Sequence, residues 1–197
     1  MFRLSLCRIL MNSLLTNLTF PHHWQARILP ARPLILPPHH FVYPREAEEI
    51  ERGALELMIR PNPNAQEFLA TCALGFQDPI VPTGLWSCPN PNEICAVSGG
   101  YAYLIDTIAP EQFTMLPYRP VLAVHPVHEI NLLLFVGHHA ILAWGADGLA
   151  WESEKLSSEG VTILAIDGPT LRGRGWDLMT DKESDFALDL STGRLIG

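Results

Sequence analysis

Charge is scarce in this chain. Only 17% of its 197 residues are Asp, Glu, Lys or Arg, and 21 acids outnumber 13 bases. Neutralising phosphates takes clustered Lys and Arg, so an acidic chain is a poor candidate for binding nucleic acid. Long apolar runs are missing too. The one long charge-free window, residues 9–26, is interrupted by Asn12, Asn17, Pro21 and two His, whereas a membrane-spanning helix needs about 20 apolar residues. With four cysteines and no secretory signal pattern, a disulfide scaffold is excluded and the thiols are expected to be free. Beyond residue 45 no apolar stretch keeps a helical period over ten residues or more, which removes the helical fold classes.

What remains is a chain that is 48% hydrophobic with 17 prolines and 14 glycines. It is rich enough in apolar side chains to fold, and long enough for one domain with a tail. Its net charge of −8 is unevenly spread. Residues 1–45 hold five Arg (Arg3, Arg8, Arg27, Arg32, Arg45) and no acid, and the rest holds every acid. That asymmetry predicts a basic tail, 1–45, joined to a single domain, 46–197. Leu4, Cys7, Met11, Leu14, Leu15 and Leu18 fall at helical spacing, as in a transit peptide or a basic surface helix. The six prolines of residues 21–44 then predict an extended or disordered linker.

From Gly53 onward the hydrophobic period is two. Leu55, Leu57 and Ile59 alternate along one strand, and Phe68, Ala70, Cys72 and Leu74 along the next, with the turn string PNPN between them. Residues 46–58 also fit a helical spacing, for at most one turn. PNPN recurs at 89–92, and GADG at 145–148 predicts another hairpin, because Asp-Gly supplies the positive φ that tight β-turns require. Further strands are expected around 113–127, 131–153, 161–167, 171–178 and 186–190. A weak repeat accompanies them: CAVSGGYAYLID (95–106) overlays LFVGHHAILAWG (134–145), and VLAV (121–124) overlays ILAI (163–166). Such spacing resembles that of blade-like four-stranded meanders. The expected fold is therefore all-β, an antiparallel sandwich or an incomplete barrel built of such meanders.

Catalytic motifs are absent. Ser98-Gly99-Gly100 lacks the frame of a nucleophile elbow, and LRGRGWD (171–177) lacks the Lys-Ser/Thr of a phosphate loop. Eight histidines include the pairs His22-His23, His39-His40 and His138-His139. HPVHE (125–129) is not the helical HExxH of zinc proteases. A strand-borne metal site could still form from His128, Glu129 and one of His138 and His139, since neighbours on a strand face opposite ways. An imidazole satisfied within a sheet is the commoner role for such residues. Trp144 and Trp151 flank the GADG turn, and a pair of this kind serves either as core or as a ligand platform. Arg172 and Arg174, two apart, would share a strand face able to grip an anion, with Trp176 nearby.

Several segments carry a resemblance: ERGALELMIRP (51–61), FLATCALGFQDP (68–79), PTGLWSCPNP (82–91), AVSGGYAYLIDT (96–107), GLAWESEKLSSEGV (148–161), GRGWDLMTDKE (173–183) and FALDLSTGR (186–194). Over residues 46–197 the chain resembles a family of uncharacterised bacterial proteins. The resemblance implies a domain boundary near residue 46, and no activity or cofactor comes with it. The functional expectation is a non-enzymatic, cytoplasmic binding domain for a protein or small molecule, without a cofactor. Its expected binding residues are His138, Trp144, Trp151, Arg172, Arg174 and Trp176. The alternative is a metal-assisted hydrolase using His128, Glu129, His138 and His139, and a homo-oligomeric β-ring is a third option.

Overall fold

The computed structural model describes residues 14–45 and 52–196. Strands make up 50% of the described residues, among which no α-helix occurs. The strands are β1 (Leu15–Asn17), β2 (Gln25–Leu29), β3 (His40–Tyr43), β4 (Ala54–Arg60), β5 (Phe68–Ala73) and β6 (Gly84–Ser87). They continue as β7 (Glu93–Ser98), β8 (Tyr101–Asp106), β9 (Phe113–Met115), β10 (Ala123–Val127), β11 (Leu132–Val136) and β12 (Ile141–Gly145). The series ends with β13 (Gly148–Glu152), β14 (Val161–Asp167), β15 (Thr170–Asp177), β16 (Lys182–Asp189) and β17 (Arg194–Leu195).

These strands form four sheets. The first has the order β2-β4-β5-β3, the second β1-β6-β7-β8-β9, the third β10-β11-β12-β13 and the fourth β14-β15-β16-β17. Pairing is antiparallel except for β1 on β6 and β3 on β5, which are parallel. The repeated segments occupy matching places: 95–106 and 134–145 are the central hairpins β7–β8 and β11–β12. The hairpin at GADG forms as expected, with Gly145 opposite Gly148. Its positive φ of 108° falls on Gly148 alone, so Asp147 keeps an ordinary backbone conformation.

All-β is thus the class, but the sheets stack in series and number four, where a sandwich would have two. Leu55, Leu57, Ile59, Phe68 and Ala70 of the first sheet pack on Leu85, Ile94, Ala96, Tyr103 and Ile105 of the second. The other face of the second, with Trp86, Cys95, Val97 and Leu104, packs on Leu133, Phe135, Leu142 and Trp144 of the third. Leu134, Val136, Ile141, Ala143 and Trp151 then meet Val161, Leu171, Leu188 and Leu190 of the fourth. Strands covered on both faces must be apolar at successive positions, which explains why β11 reads Leu-Leu-Leu-Phe-Val without alternation. Cys72, Cys88 and Cys95 are buried free thiols, as expected.

Residues 14–45 do not behave as a linker. β1 extends the second sheet, while β2 and β3 form the two edges of the first. Phe20, Trp24 and Tyr43 lie in the core, with Trp24 Nε1 donating to the Glu93 carbonyl at 3.1 Å. The helical face expected across residues 4–18 gives way at Leu15–Asn17 to strand; its earlier part lies outside the described residues, as do residues 46–51. The prolines that suggested a linker fall between strands. Because β2 and β3 run in the same direction at opposite edges, residues 30–39 must cross the outer face of the first sheet. There Arg32 Nε reaches Glu56 at 2.7 Å, over a carboxylate only 5% exposed. Thr71 Oγ1 donates to the other carboxylate oxygen at 2.6 Å, and His40 Nε2 lies 2.9 Å from that hydroxyl. A buried carboxylate without such partners is strongly destabilising.

Two outcomes follow. Arg32→Ala is expected to lower stability by about 1–3 kcal/mol in urea denaturation, since Glu56 would keep only Thr71. A chain starting at residue 46 would lose Phe20, Trp24 and Tyr43, each contributing about 1.5–3 kcal/mol of burial. It should unfold without a cooperative transition; a sharp thermal transition like that of the whole chain would contradict the integration of residues 14–45.

Candidate functional site

Because the inner sheets are buried on both faces, polar side chains collect at strand ends and in connections. One such place joins three segments: Pro117–Pro120 between β9 and β10, Gly137–Ala140 between β11 and β12, and Glu152 at the end of β13. Together they line a groove of about 340 Å³. Gly137 is required there, because a Cβ at this position would lie 2.8 Å from Tyr118 Cδ2. The ring can therefore rest against the turn. Tyr118 donates its hydroxyl proton to Glu152 Oε1 at 2.8 Å. Burial, the hydrogen bond and the neighbouring carboxylate together hold the phenol above its ordinary pKa, so it stays a donor.

His138 and His139 both line this groove, with ring centroids 6.2 Å apart. The expectation that they diverge fails because they sit in a turn between strands, where the two-residue alternation does not apply. His139 Nδ1 lies 3.1 Å from the Ser157 carbonyl and so donates to it. Arg119 completes the set, its guanidinium 5.3 Å from the centre of the Tyr101 ring, within cation–π range. The groove thus offers a cation, two imidazoles and a phenol–carboxylate pair on a largely backbone-fixed wall.

The proposed metal quartet does not assemble. His128 and Glu129 occupy a 3-10 turn before β11, and His138 and His139 follow it. The five residues of β11 separate them by about 17 Å at the usual strand rise. His128 instead packs against Phe20 with the rings tilted by 55° and their centroids 4.6 Å apart. Among the described residues no group of three or more His, Cys, Asp or Glu is placed to hold a metal ion.

Nor do the tryptophans form a platform. A bulge at Ala143/Trp144 pairs Trp151 with Ala143, which puts the two indoles on opposite faces of the third sheet. Trp144 is 7% and Trp151 8% exposed. Trp151 Nε1 donates to the Leu190 carbonyl at 2.8 Å, and Gly193 packs against the indole, where a Cβ would lie 2.4 Å from the ring. Arg172 and Arg174 do share a face, with Trp176 half-buried beside them. Arg174 is already matched by Asp185 at 2.8 Å and Glu183 at 3.1 Å, and Arg172 lies 3.9 Å from Asp167. Arg174 in particular is therefore no unmatched cation for an anion.

One half-buried acid at the head of a strand carries no motif signal in the sequence. Glu93 begins β7 opposite Asp106 of β8, and its Oε2 accepts the Trp144 indole proton at 2.6 Å. Desolvation pushes its pKa up to about 7, against the opposing effect of hydrogen bonds from Trp144 and Cys88. Only its place after a PNPN turn, before an apolar run, could have flagged it. It borders a groove of about 400 Å³ with Asp106, Glu111 and Arg45.

No protein-family model matches the chain, and no curated protein matches it. Among solved structures the chain is similar to hydrazine synthase of Kuenenia stuttgartiensis at 15% identity and a TM-score of 0.25, over 60% of this chain and 48% of that one. The chain thus spans about half the length of that protein. A likeness of that degree transfers neither architecture nor activity. No helix among the described residues is long and apolar enough to cross a membrane.

Glu93 yields a pH prediction. A carboxyl with a raised folded-state pKa stabilises the fold most when protonated in both states. That contribution disappears as pH climbs from near 4.5 through about 7. Thermal stability should fall from pH 5 to pH 8 by on the order of 2 kcal/mol, and Glu93→Gln should flatten that slope. An unchanged slope in the variant would rule Glu93 out as its origin.

Proposed function

We propose that the protein is a non-enzymatic binding domain and that its ligand enters the groove between Tyr118, Arg119, His138, His139 and Glu152. The observation behind this reading is convergence: polar groups from three separate segments line one cavity of about 340 Å³. Ligand sites are typically concave with a few convergent polar groups. The chemistry suits a small polar ligand bearing an anionic or acceptor group. Arg119 supplies charge, the imidazoles supply donors and acceptors, and the Tyr118–Glu152 pair fixes one wall.

The connections that line the groove are short and leave directly from paired strands, which limits the ordering that opposes binding. Solution NMR with acetate, inorganic phosphate and short acidic peptides as probes tests this reading. At least one probe should shift the amide signals of 118–119 and 137–140, and the shifts should vanish in Arg119→Ala and His138→Ala. Perturbations confined to other surfaces, or none with any probe, would defeat it.

A further inference from the structure

The groove at the end of β13 holds two opposite charges that do not meet. Arg119 and Glu152 line the same cavity of about 340 Å³, yet no ion pair joins them. Arg27, Arg32, Arg60, Arg172 and Arg174 each face a carboxylate. Arg119 faces neutral groups instead. Its guanidinium stands 5.3 Å from the centre of the Tyr101 ring, and its Nη2 lies 3.4 Å from Met115 Sδ. Glu152 is likewise half used. Its Oε1 accepts the Tyr118 hydroxyl proton at 2.8 Å, while Oε2 accepts a hydrogen bond from no described residue.

The backbone preserves this separation. Leu116 N donates to the Ala102 carbonyl at 3.0 Å and Val121 N to the Gly100 carbonyl at 2.8 Å, which pins the Tyr118–Arg119 segment at both ends. Pro117 and Pro120 fix φ between those anchors. Glu152 is mounted on β13, paired with Leu142 of β12. An ion pair between the two side chains would give up the Tyr101 and Met115 contacts. Each charge therefore keeps hydrogen-bonding capacity for something else: guanidinium N–H donors on Arg119 and one whole oxygen on Glu152.

A ligand with a single charge fits this pair badly. An anion on Arg119 meets the free carboxylate oxygen, and a cation on Glu152 meets the guanidinium. That repulsion strengthens as a ligand displaces water from the groove. A ligand carrying both charges gives each side chain a charge-assisted hydrogen bond. The cavity is at the small end of ligand pockets, which span about 300–1,000 Å³, so it suits a single small molecule better than a peptide.

We propose that the groove selects a small zwitterion of amino-acid type, its carboxylate on Arg119 and its ammonium on Glu152 Oε2. This rests on the groove being the ligand site and names the class of ligand that it takes. His138 and His139 add hydrogen-bonding positions in the same cavity.

NMR titration of the full chain at low salt tests the proposal with five probes. Glycine, β-alanine and 4-aminobutyrate carry both charges at increasing separation; acetate and methylammonium carry one each. At least one zwitterion should shift the amide signals of 118–119, 137–140 and 152 with a Kd at least fivefold below those of acetate and methylammonium. Glu152→Gln, whose amide oxygen can still accept from Tyr118, should raise that Kd to the value for acetate. Arg119→Gln should raise it to the value for methylammonium. Both positions are exposed, and unchanged circular dichroism will confirm the fold. Acetate binding as tightly as every zwitterion, or a zwitterion advantage that survives Glu152→Gln, would overturn the proposal and leave the groove standing as a ligand site. Silence at the groove with all five probes would overturn the proposal, and silence with phosphate and acidic peptides as well would remove the ligand site beneath it.

Discussion

Burial of the second and third sheets on both faces is the constraint on which most other features depend. A strand inside such a sheet has no solvent side, so each successive residue needs an apolar or internally satisfied side chain. Ile94 to Val97 and Leu132 to Val136 meet that demand almost without a polar atom. Polar chemistry is thereby displaced to strand ends. The indoles of Trp144 and Trp151 show what happens where it is not: each N–H needs an acceptor, and the acceptors are the Glu93 carboxylate and the Leu190 carbonyl. The same displacement gathers Tyr118, His138, His139 and Glu152 at one rim.

Much of this architecture was legible along the chain because the encoding is local. β4 carries Leu55, Leu57 and Ile59 at alternate positions before PNPN, and β12 and β13 flank a glycine-bounded turn. The matched hairpins at 95–106 and 134–145 appear as a repeat because equivalent positions face equivalent neighbours. Residues 14–45 were read wrongly for the opposite reason. β1 lies parallel to β6 and β3 parallel to β5, partners far away in sequence. Strands of three to five residues leave little periodicity of their own. Proline density was real, but it described the crossover and not the strands it joins.

The candidate site was half legible. Histidine identity pointed to 138–139, while an assumed strand geometry separated two side chains that a turn brings together. Tyr118 and Glu152 gave no signal, because nothing in either segment encodes their meeting across the sheet end. The tryptophan pair misled through register: a single bulge in the third sheet decides which face each indole takes, and a bulge leaves no mark in hydrophobic patterning.

The crossover over the first sheet has a consequence for how that sheet opens. It links the two edge strands, so neither edge can peel away while the Arg32–Glu56 contact holds. Lifting it uncovers a carboxylate, the Thr71 hydroxyl and the His40 ring together. Fraying, which in most sheets starts independently at each edge, is here coupled across the full width of β2-β4-β5-β3. The strap thus ties the opening of either edge strand to the loss of the Arg32–Glu56 contact.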